Sequence, residues 1–254
     1  MDTEKIIKRI SQEVYKKLAE NSKDCAASMC GGSAASPDIA AMLEHTLLRP
    51  DATAAQVEKF CREARENRFG AVTVSPYYVP LAVELLKGSG ISTGTVIGFP
   101  HGAASTRGKL AETREALQNG AVELDVVINN AAMKSGHDEA VKRDMEEIVA
   151  FTNGKAKIKA IIETCLFTEE EKVRACEIVK AAGVDYVKVS TALGTGKADA
   201  EEIRFFKRLV GPHIGIKADG GIKDINLAME MIRAGADRIG TSSSVAIVRG
   251  VDRK

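Results

Sequence analysis

An alternation of short β-branched runs with longer helical patterns, from about residue 41 onward, constrains the fold of this chain more than any other feature. In the helical segments, apolar residues recur at spacings of three and four, and a glycine often follows the last turn. Eight strand candidates lie at 42–48, 71–75, 92–99, 122–129, 157–165, 185–190, 214–220 and 237–243. Eight such units over about 210 residues predict an α/β fold with a closed parallel sheet, the (β/α)8 or TIM barrel.

Two further observations favour a barrel over an open sheet. The segments 119–125, 181–187 and 233–239 each close a helix with small residues and then enter the next strand. A doubly wound open sheet would carry a glycine-rich dinucleotide fingerprint after its first strand, and the sequence has none there. We therefore predict a single barrel domain over residues 41–250.

Residues 1–40 do not follow the barrel pattern. Residues 1–20 carry an apolar stripe at helical spacing between charged residues, which predicts an amphipathic helix. The stripe consists of Ile6, Ile7, Ile10, Val14 and Leu18. Residues 21–40 are low in large apolar side chains and rich in Ser, Ala and Gly, which predicts a flexible linker.

The composition argues against several classes of partner. A balance of 36 basic and 35 acidic residues gives no bulk electrostatic attraction to nucleic acid or to a membrane. The five cysteines and four histidines show no metal-ligand spacing, so we expect reduced intracellular thiols and no metal site. Because membrane spans and signal peptides need long apolar segments that are lacking here, we expect a cytoplasmic protein.

Three charged side chains lie in predicted strands where apolar side chains are expected. They are Asp125, Lys188 and Lys217. Side chains alternate along a strand, so Lys188 faces the barrel interior if Val187 and Val189 face the helices. The same alternation turns Asp125 and Lys217 inward. Because active sites of these barrels lie at the C-terminal ends of the strands, we expect the three side chains to meet there.

Two ammonium groups at close range disfavour protonation of both. The pKa of one lysine should therefore fall towards neutrality and give a free amine nucleophile, for which Lys188 is the candidate. The alternative is a purely structural Lys–Asp–Lys cluster of ion pairs, and the spacing alone leaves both interpretations open.

Glycine-rich segments follow the last two predicted strands, at 220–223 ("GGIK") and 240–244 ("GTSSS"). Each leads from a strand into a helix start and offers backbone N–H groups to an anion, together with hydroxyl groups or the Lys223 ammonium. Each segment alone also fits an ordinary turn or cap. Their joint position after strands seven and eight predicts a phosphate site.

At these residues the sequence resembles the deoxyribose-phosphate aldolase family, which consists of class I aldolases with a TIM-barrel fold. The resemblance extends from about residue 40 to 250. It is carried by "LEHTLLRPDAT", "VSPYYVP", "VIGFPHG", "ELDVVIN", "IIETC", "YVKVST", "IKADGGIK" and "IGTSSS". Together these segments are highly specific.

The resemblance implies reversible cleavage of 2-deoxy-D-ribose 5-phosphate into acetaldehyde and D-glyceraldehyde 3-phosphate, with no metal or separate cofactor. Lys188 would form the Schiff base, Lys217 would depress the pKa of Lys188, and Asp125 would join a water-mediated proton relay. The implied phosphate-binding residues are Gly220, Gly221, Lys223, Gly240, Ser242 and Ser243. Two alternatives stay open: a related Schiff-base aldolase with a different donor, and a catalytically silent sugar-phosphate-binding barrel. We also expect a homo-oligomer, either a dimer or a tetramer.

Several positions depart from the family pattern, among them Thr73, which occupies a position often held by cysteine. Glu44 stands where many members have aspartate, and Ala192 stands where many have glycine. Asp219 replaces a small residue beside the phosphate loop, where an acidic side chain would repel a phosphate group. Neither Glu44 nor Thr73 carries the covalent step.

The N-terminal helix and linker are similar to an encapsulation peptide, a short tag that directs enzymes into bacterial microcompartments by docking on shell or cargo proteins. A shell would retain volatile acetaldehyde until a neighbouring enzyme consumes it. The alternative is that the helix packs on its own barrel or at an oligomer contact. A membrane surface is disfavoured because the polar face mixes Glu4, Glu13 and Glu20 with the lysines.

Overall fold

The computed structural model describes residues 38–194 and 196–251 of the 254-residue chain. The predicted helix at 1–20 and most of the predicted linker at 21–40 lie outside the described residues. Within the described ranges, no helix is both long enough and apolar enough to cross a membrane.

Eight parallel strands form a closed barrel in which each strand pairs with the next and the eighth pairs with the first. The strands are β1 (Leu43–Leu47), β2 (Ala71–Val74), β3 (Ser92–Ile97), β4 (Glu123–Val127), β5 (Lys157–Ile161), β6 (Tyr186–Lys188), β7 (Gly215–Asp219) and β8 (Arg238–Thr241). The eight predicted strands and the predicted (β/α)8 class are therefore confirmed.

Helices surround this sheet. They are α1 (Ile39–Met42), α2 (Ala54–Asn67), α3 (Val79–Leu86), α4 (Thr106–Gln118), α5 (Asn130–Lys134), α6 (Asp138–Thr152), α7 (Glu169–Ala181), α8 (Ala200–Val210), α9 (Ile225–Ala234) and α10 (Ser244–Val251). Short 3-10 turns occupy Pro76–Tyr78 and Thr164–Leu166. Helix α1 begins two residues before the predicted start of the barrel domain at 41, and its first residue, Ile39, is buried in the core.

Side-chain caps fix the starts of α2 and α7. Thr53 Oγ1 accepts a hydrogen bond from the Gln56 backbone N–H, and Gln56 Oε1 accepts one from the Thr53 backbone N–H, which forms a capping box at the start of α2. Thr168 and Glu171 form the same arrangement at the start of α7. Helix α9 ends at Gly235, whose φ of 112° lies in the left-handed region that glycine tolerates best. These signals are local, which is why the helices were readable from the sequence.

The apolar core lies between the sheet and the helices. In β4, Leu124 and Val126 belong to this core, whereas Asp125 between them points into the barrel interior. In β6, Val187 faces the core and the next residue, Lys188, faces the interior, as the alternation predicts. Charged side chains therefore point into the barrel interior, away from the surrounding helices.

Strand register decides which of these interior side chains are neighbours. Lys188 of β6 lies beside Lys217 of β7, and Asp125 of β4 lies beside Lys159 of β5. Because all the strands run in the same direction, their C-terminal ends form one face of the barrel. The side chains described next lie in the barrel interior or in the connections at that face.

Candidate active site

Lys188 is the last residue of β6, and its side chain has no exposed surface. Its Nζ atom lies 3.0 Å from Asp125 Oδ2, to which it donates a hydrogen bond. The same atom lies 2.9 Å from Asp219 Oδ2. No donor among the described residues makes a well-aligned hydrogen bond to that oxygen. The lysine ammonium is therefore held between two buried carboxylates.

Lys217 approaches the same aspartate from β7. Its Nζ atom lies 2.7 Å from Asp125 Oδ2 and 2.5 Å from Glu44 Oε2 of β1. Asp125 Oδ2 is thus shared by the Lys188 and Lys217 ammonium groups. The structure brings together the three interior side chains that the sequence analysis selected.

A third interior lysine, Lys159 of β5, was missed by the sequence analysis. Its Nζ atom contacts Glu123 Oε2 at 2.5 Å, Asp125 Oδ1 at 3.1 Å and Glu44 Oε2 at 3.2 Å. The signal was available, because Lys159 and Glu123 are charged residues inside predicted strands, as Lys188 is.

These contacts join into one interior ion network with equal numbers of both charges. Its four carboxylates and four cations are Glu44, Glu123, Asp125, Asp219, Lys159, Lys188, Lys217 and Arg238. Arg238 is at the edge, 3.9 Å from Glu123, with 17% of its side chain exposed, whereas none of the others exceeds 4%. The balance matters because removing one partner of a buried ion pair typically costs about 3–5 kcal/mol.

The network determines the ionisation of the two central groups. Burial alone would raise the pKa of the Asp125 carboxyl, but Lys159, Lys217 and Lys188 together hold that pKa well below its ordinary value. Burial lowers the pKa of Lys188, whereas Asp219 and Asp125 raise it, and the pKa is raised overall. The expected fall of the Lys188 pKa is therefore wrong for this arrangement. That expectation considered the repulsion between the Lys188 and Lys217 ammonium groups but not the attraction of Lys188 to Asp125 and Asp219.

Asp219 points towards Lys188. Its Oδ1 atom accepts a hydrogen bond from the Gly220 N–H at 2.9 Å, and its Oδ2 atom faces Lys188. The carboxyl lies against Gly240 of β8, where a Cβ atom would come within 2.4 Å of Oδ2. Glycine at 240 therefore provides the space that the Asp219 side chain occupies.

The predicted phosphate residues occupy two adjacent strand-to-helix connections at the C-terminal face. Gly220 and Gly221, with φ of 107° and 76°, turn the chain after β7, and Lys223 follows as an exposed side chain. Gly240 lies near the end of β8. In the connection that follows β8, Ser242 is exposed and Ser243 is half-buried.

One hydroxyl group ties the two connections together. Thr241 Oγ1 donates a hydrogen bond to the Ile222 carbonyl at 2.6 Å and accepts one from the Ser243 N–H at 2.9 Å. The two glycine-rich segments therefore form one surface rather than two separate turns.

Lys197 is a further cation beside this surface, and the sequence analysis missed it. A Cβ atom on Gly221 would lie 3.6 Å from Lys197 Cγ, so the lysine stem packs over the glycine. The next residue, Ala198, donates its N–H to the Gly220 carbonyl at 2.9 Å. Lys197 lies outside the two glycine-rich segments, so only the folded chain shows that it is near them.

The connection after β6 is held by Glu163. This carboxylate accepts hydrogen bonds from the Thr191 N–H at 2.8 Å and from the Ser190 hydroxyl at 3.2 Å. The following residue, Ala192, has a φ of 62°, in the left-handed region where a Cβ atom costs about 1–2 kcal/mol. This backbone conformation explains why glycine suits this position in many members of the family.

His45 of β1 packs against helices α2 and α10. Its Nε2 lies 3.0 Å from Glu63 Oε2, its Nδ1 lies 3.1 Å from Ser244 Oγ, and its ring stacks on Phe60. The Ser244 hydroxyl thus anchors the start of α10. In the part of the chain that the structure describes, no group of three or more His, Cys, Asp or Glu side chains could hold a metal ion.

Comparison with known families decides where this chain belongs. A model described as "DeoC/LacD family aldolase" matches residues 38–250. The chain belongs to the DeoC/LacD aldolase family. The resemblance found in the sequence is thereby confirmed for the barrel, and the matched range does not include the proposed N-terminal tag.

Individual relatives within the DeoC/LacD family cover nearly the same range. The chain is 52% identical over 213 residues to a deoxyribose-phosphate aldolase of Geobacillus sp. (strain WCH70), which covers 84% of this chain and 96% of the relative. Among solved structures, the aldolase QR15 matches with a TM-score of 0.82 and 38% identity, covering 86% of this chain and 97% of that one. A deoxyribose phosphate aldolase from Aeropyrum pernix, described as having a unique tetrameric structure, matches with a TM-score of 0.80 and 34% identity, covering 86% and 93%.

The contacts of Lys217 lead to a prediction about pH. Replacing Lys217 with leucine removes a cation from Asp125 and Glu44, so these carboxylates should hold the proton on Lys188 more strongly. Aldolase activity near neutral pH should fall about tenfold or more. It should recover in part as rising pH restores the free amine. The measurement is kcat/KM against pH.

A matched control is Lys207→Leu, which breaks a Lys–Asp pair of 2.8 Å with Asp237 outside the interior network. This variant should keep the parent profile. If the Lys217→Leu profile also matches the parent, Lys217 has another role.

Proposed function

We propose that this chain is a class I aldolase that reversibly cleaves 2-deoxy-D-ribose 5-phosphate into acetaldehyde and D-glyceraldehyde 3-phosphate. The observation that carries the proposal is the Lys188 ammonium at the C-terminal end of β6, buried between two carboxylates. A family of aldolases, with a relative of that activity by name at 52% identity, supports the choice of reaction.

Lys188 is the proposed nucleophile. As a free amine it attacks the C1 aldehyde of the open-chain sugar, and loss of water from the adduct leaves an iminium ion. The iminium accepts the electron pair of the C2–C3 bond when that bond breaks, so the lysine does the work of a cofactor. Because the Lys188 side chain is fully buried, the contacts around Nζ have to open for the carbonyl carbon to reach it.

Asp125 is the proposed relay for the second proton transfer. Through a water molecule it passes the proton of the C3 hydroxyl group on to C2 of the enamine. Its low pKa, caused by three neighbouring lysines, keeps the carboxyl ionised, so that it can accept a hydrogen bond from the relaying water molecule. Hydrolysis of the resulting iminium releases acetaldehyde and restores Lys188.

The substrate phosphate is assigned to the two connections after β7 and β8. The proposed ligands are Gly220, Gly221, Lys223, Gly240, Ser242 and Ser243. Thr241 supports this assignment, because its hydrogen bonds to Ile222 and Ser243 hold the connections side by side. The Gly220 N–H already has a partner in Asp219, so the other groups carry most of the binding.

Two wider proposals concern assembly and location. A homo-oligomer is supported by the tetrameric relative from Aeropyrum pernix. Targeting of the enzyme to a bacterial microcompartment by residues 1–20 is supported by the apolar stripe, the linker that follows it, and the volatility of acetaldehyde. A cytoplasmic location outside such a compartment is the simpler prediction.

The first test addresses the Schiff base. Lys188→Ala should abolish turnover, and it should also abolish borohydride trapping of acetaldehyde on the enzyme, because the proposal assigns the reacting amine to Lys188 alone. Mass spectrometry of the reduced protein is the measurement, with Lys207→Ala as the control that keeps both signals. Trapping retained on another lysine would reject the assignment, and a screen of donor aldehydes and ketones would identify a different donor.

The second test addresses the phosphate. The kcat/KM for 2-deoxyribose 5-phosphate should exceed that for 2-deoxyribose, and Lys223→Gln should lower only the former, by about tenfold or more. The loss follows from the removal of one charge-assisted hydrogen bond. Equal values for the two sugars in the parent enzyme would remove the phosphate-site proposal.

The third test addresses the N-terminal segment. Residues 1–40 fused to a fluorescent protein should co-localise with shells in a cell that forms microcompartments. The fusion with Ile10→Asp and Val14→Asp should be diffuse, because both changes charge the apolar stripe. Diffuse fluorescence from the unmutated fusion, together with loss of stability or assembly in an enzyme that lacks residues 1–37, would favour packing on the barrel.

A further inference from the structure

Lys188 has a second carboxylate partner, Asp219, whose role the proposed function has left open. Asp219 Oδ2 lies 2.9 Å from Lys188 Nζ, and the Asp219 side chain is almost completely buried. No aligned hydrogen-bond donor among the described residues reaches this oxygen. A buried carboxylate oxygen with a free lone pair beside the reacting nitrogen has the position of a proton acceptor.

The two carboxylates on Lys188 differ as bases. Asp125 contacts three ammonium groups, those of Lys159, Lys188 and Lys217, which stabilise its anion and hold its pKa well below the ordinary range. Asp219 contacts only the Lys188 ammonium among the ion pairs of the described residues. Asp219 is therefore the carboxylate that faces the Lys188 nitrogen without sharing its oxygen with another ammonium group, which places it to accept a proton from that nitrogen.

The surroundings of Asp219 fix its carboxyl group for this transfer. The Gly220 N–H donates to Oδ1 at 2.9 Å, which leaves Oδ2 turned towards Lys188. Gly240 lies against the carboxyl group, and a side chain there would occupy the space of Oδ2. The orientation thus depends on backbone groups of β7 and β8, which are held by the barrel itself.

We propose that Asp219 is the general acid–base catalyst of Schiff-base formation, taking the proton from Lys188 and delivering it to the oxygen that leaves as water. The inference rests on the proposed Schiff-base function and adds a catalytic residue to it. Asp219 is placed in this role because it touches the reacting nitrogen.

The proton transfers of this step balance without any other reactant. Asp219 accepts one proton from the Lys188 ammonium, and the free amine adds to the aldehyde carbon. The new alkoxide takes that proton, and the carboxylate then removes a second proton from nitrogen. When the nitrogen lone pair expels the hydroxyl group, Asp219 protonates it to water. The products are the iminium ion, one water molecule and the Asp219 carboxylate in its starting state.

The test measures iminium formation alone, with acetaldehyde as the only substrate. The parent enzyme, Asp219→Asn and Asp219→Ala are mixed with acetaldehyde, and the reaction is stopped at intervals with borohydride. The fraction of protein that carries one reduced adduct gives the rate. Both variants should form the adduct about 10²-fold more slowly than the parent, the usual range for lost general acid–base catalysis.

Chemical rescue separates catalysis from a structural role. Added formate should restore the rate of Asp219→Ala, because the deleted carboxyl leaves space for a small acid. It should not restore Asp219→Asn, where the amide fills that space. Asp237→Asn is the matched control, because Asp237 likewise contacts one lysine and accepts one backbone N–H, from Lys207 and Ile216. This control should react at the parent rate with and without formate.

Each contrary result has a distinct meaning. Adduct formation in either Asp219 variant at the parent rate or faster would overturn the proposal, because the carboxylate would then only hold the lysine protonated. Equal acceleration of all variants by formate would overturn it as well. Absence of an adduct in the parent enzyme would instead reject the Schiff-base function. If Asp219→Ala fails to fold, the near-isosteric Asp219→Asn decides the outcome by its rate alone.

Discussion

Competition of three lysine ammonium groups for Asp125 organises the interior of this barrel. Transfer of each ion from water costs several kcal/mol even after relaxation, so the interior tolerates these charges only where every one has an opposite partner. The partners come from β1, β4, β5, β6, β7 and β8, which makes the network a property of the closed barrel. The ion-pair cluster and the proposed catalytic site therefore share the same residues, rather than being alternatives.

The same competition sets the chemical problem that the site has to solve. Two carboxylates secure the Lys188 ammonium in position, but they also raise its pKa and so withhold the free amine that a Schiff base needs. A base in direct contact with the nitrogen resolves the conflict, since it can take the proton when the aldehyde arrives. Asp125 is a poor base because it is shared, whereas Asp219 serves a single lysine.

The sequence predicts those features that depend on neighbours along the chain. Alternation within one strand located Lys188, Lys217 and Asp125, and glycine patterns located the connections after β7 and β8. Partners across the barrel depend on closure and register, so the pKa of Lys188 was predicted in the wrong direction. Lys159 was missed although alternation alone would have found it. Lys197 could not be found, because its contact with the phosphate connection exists only in the folded chain.

The Asp219 carboxyl at the end of β7 contacts both the Gly220 N–H of the proposed phosphate loop and the Lys188 ammonium. The Asp219 carboxyl occupies the Gly220 N–H, which a phosphate-binding loop would otherwise offer to its ligand. In the proposed phosphate site, anion binding would then depend more on the exposed cations Lys223 and Lys197 and on the connection after β8. An acidic side chain at this position therefore places a base beside the nucleophile and weakens one phosphate contact. Glycine at position 240 permits this placement of the Asp219 carboxyl, since any side chain there would displace the carboxyl from Lys188.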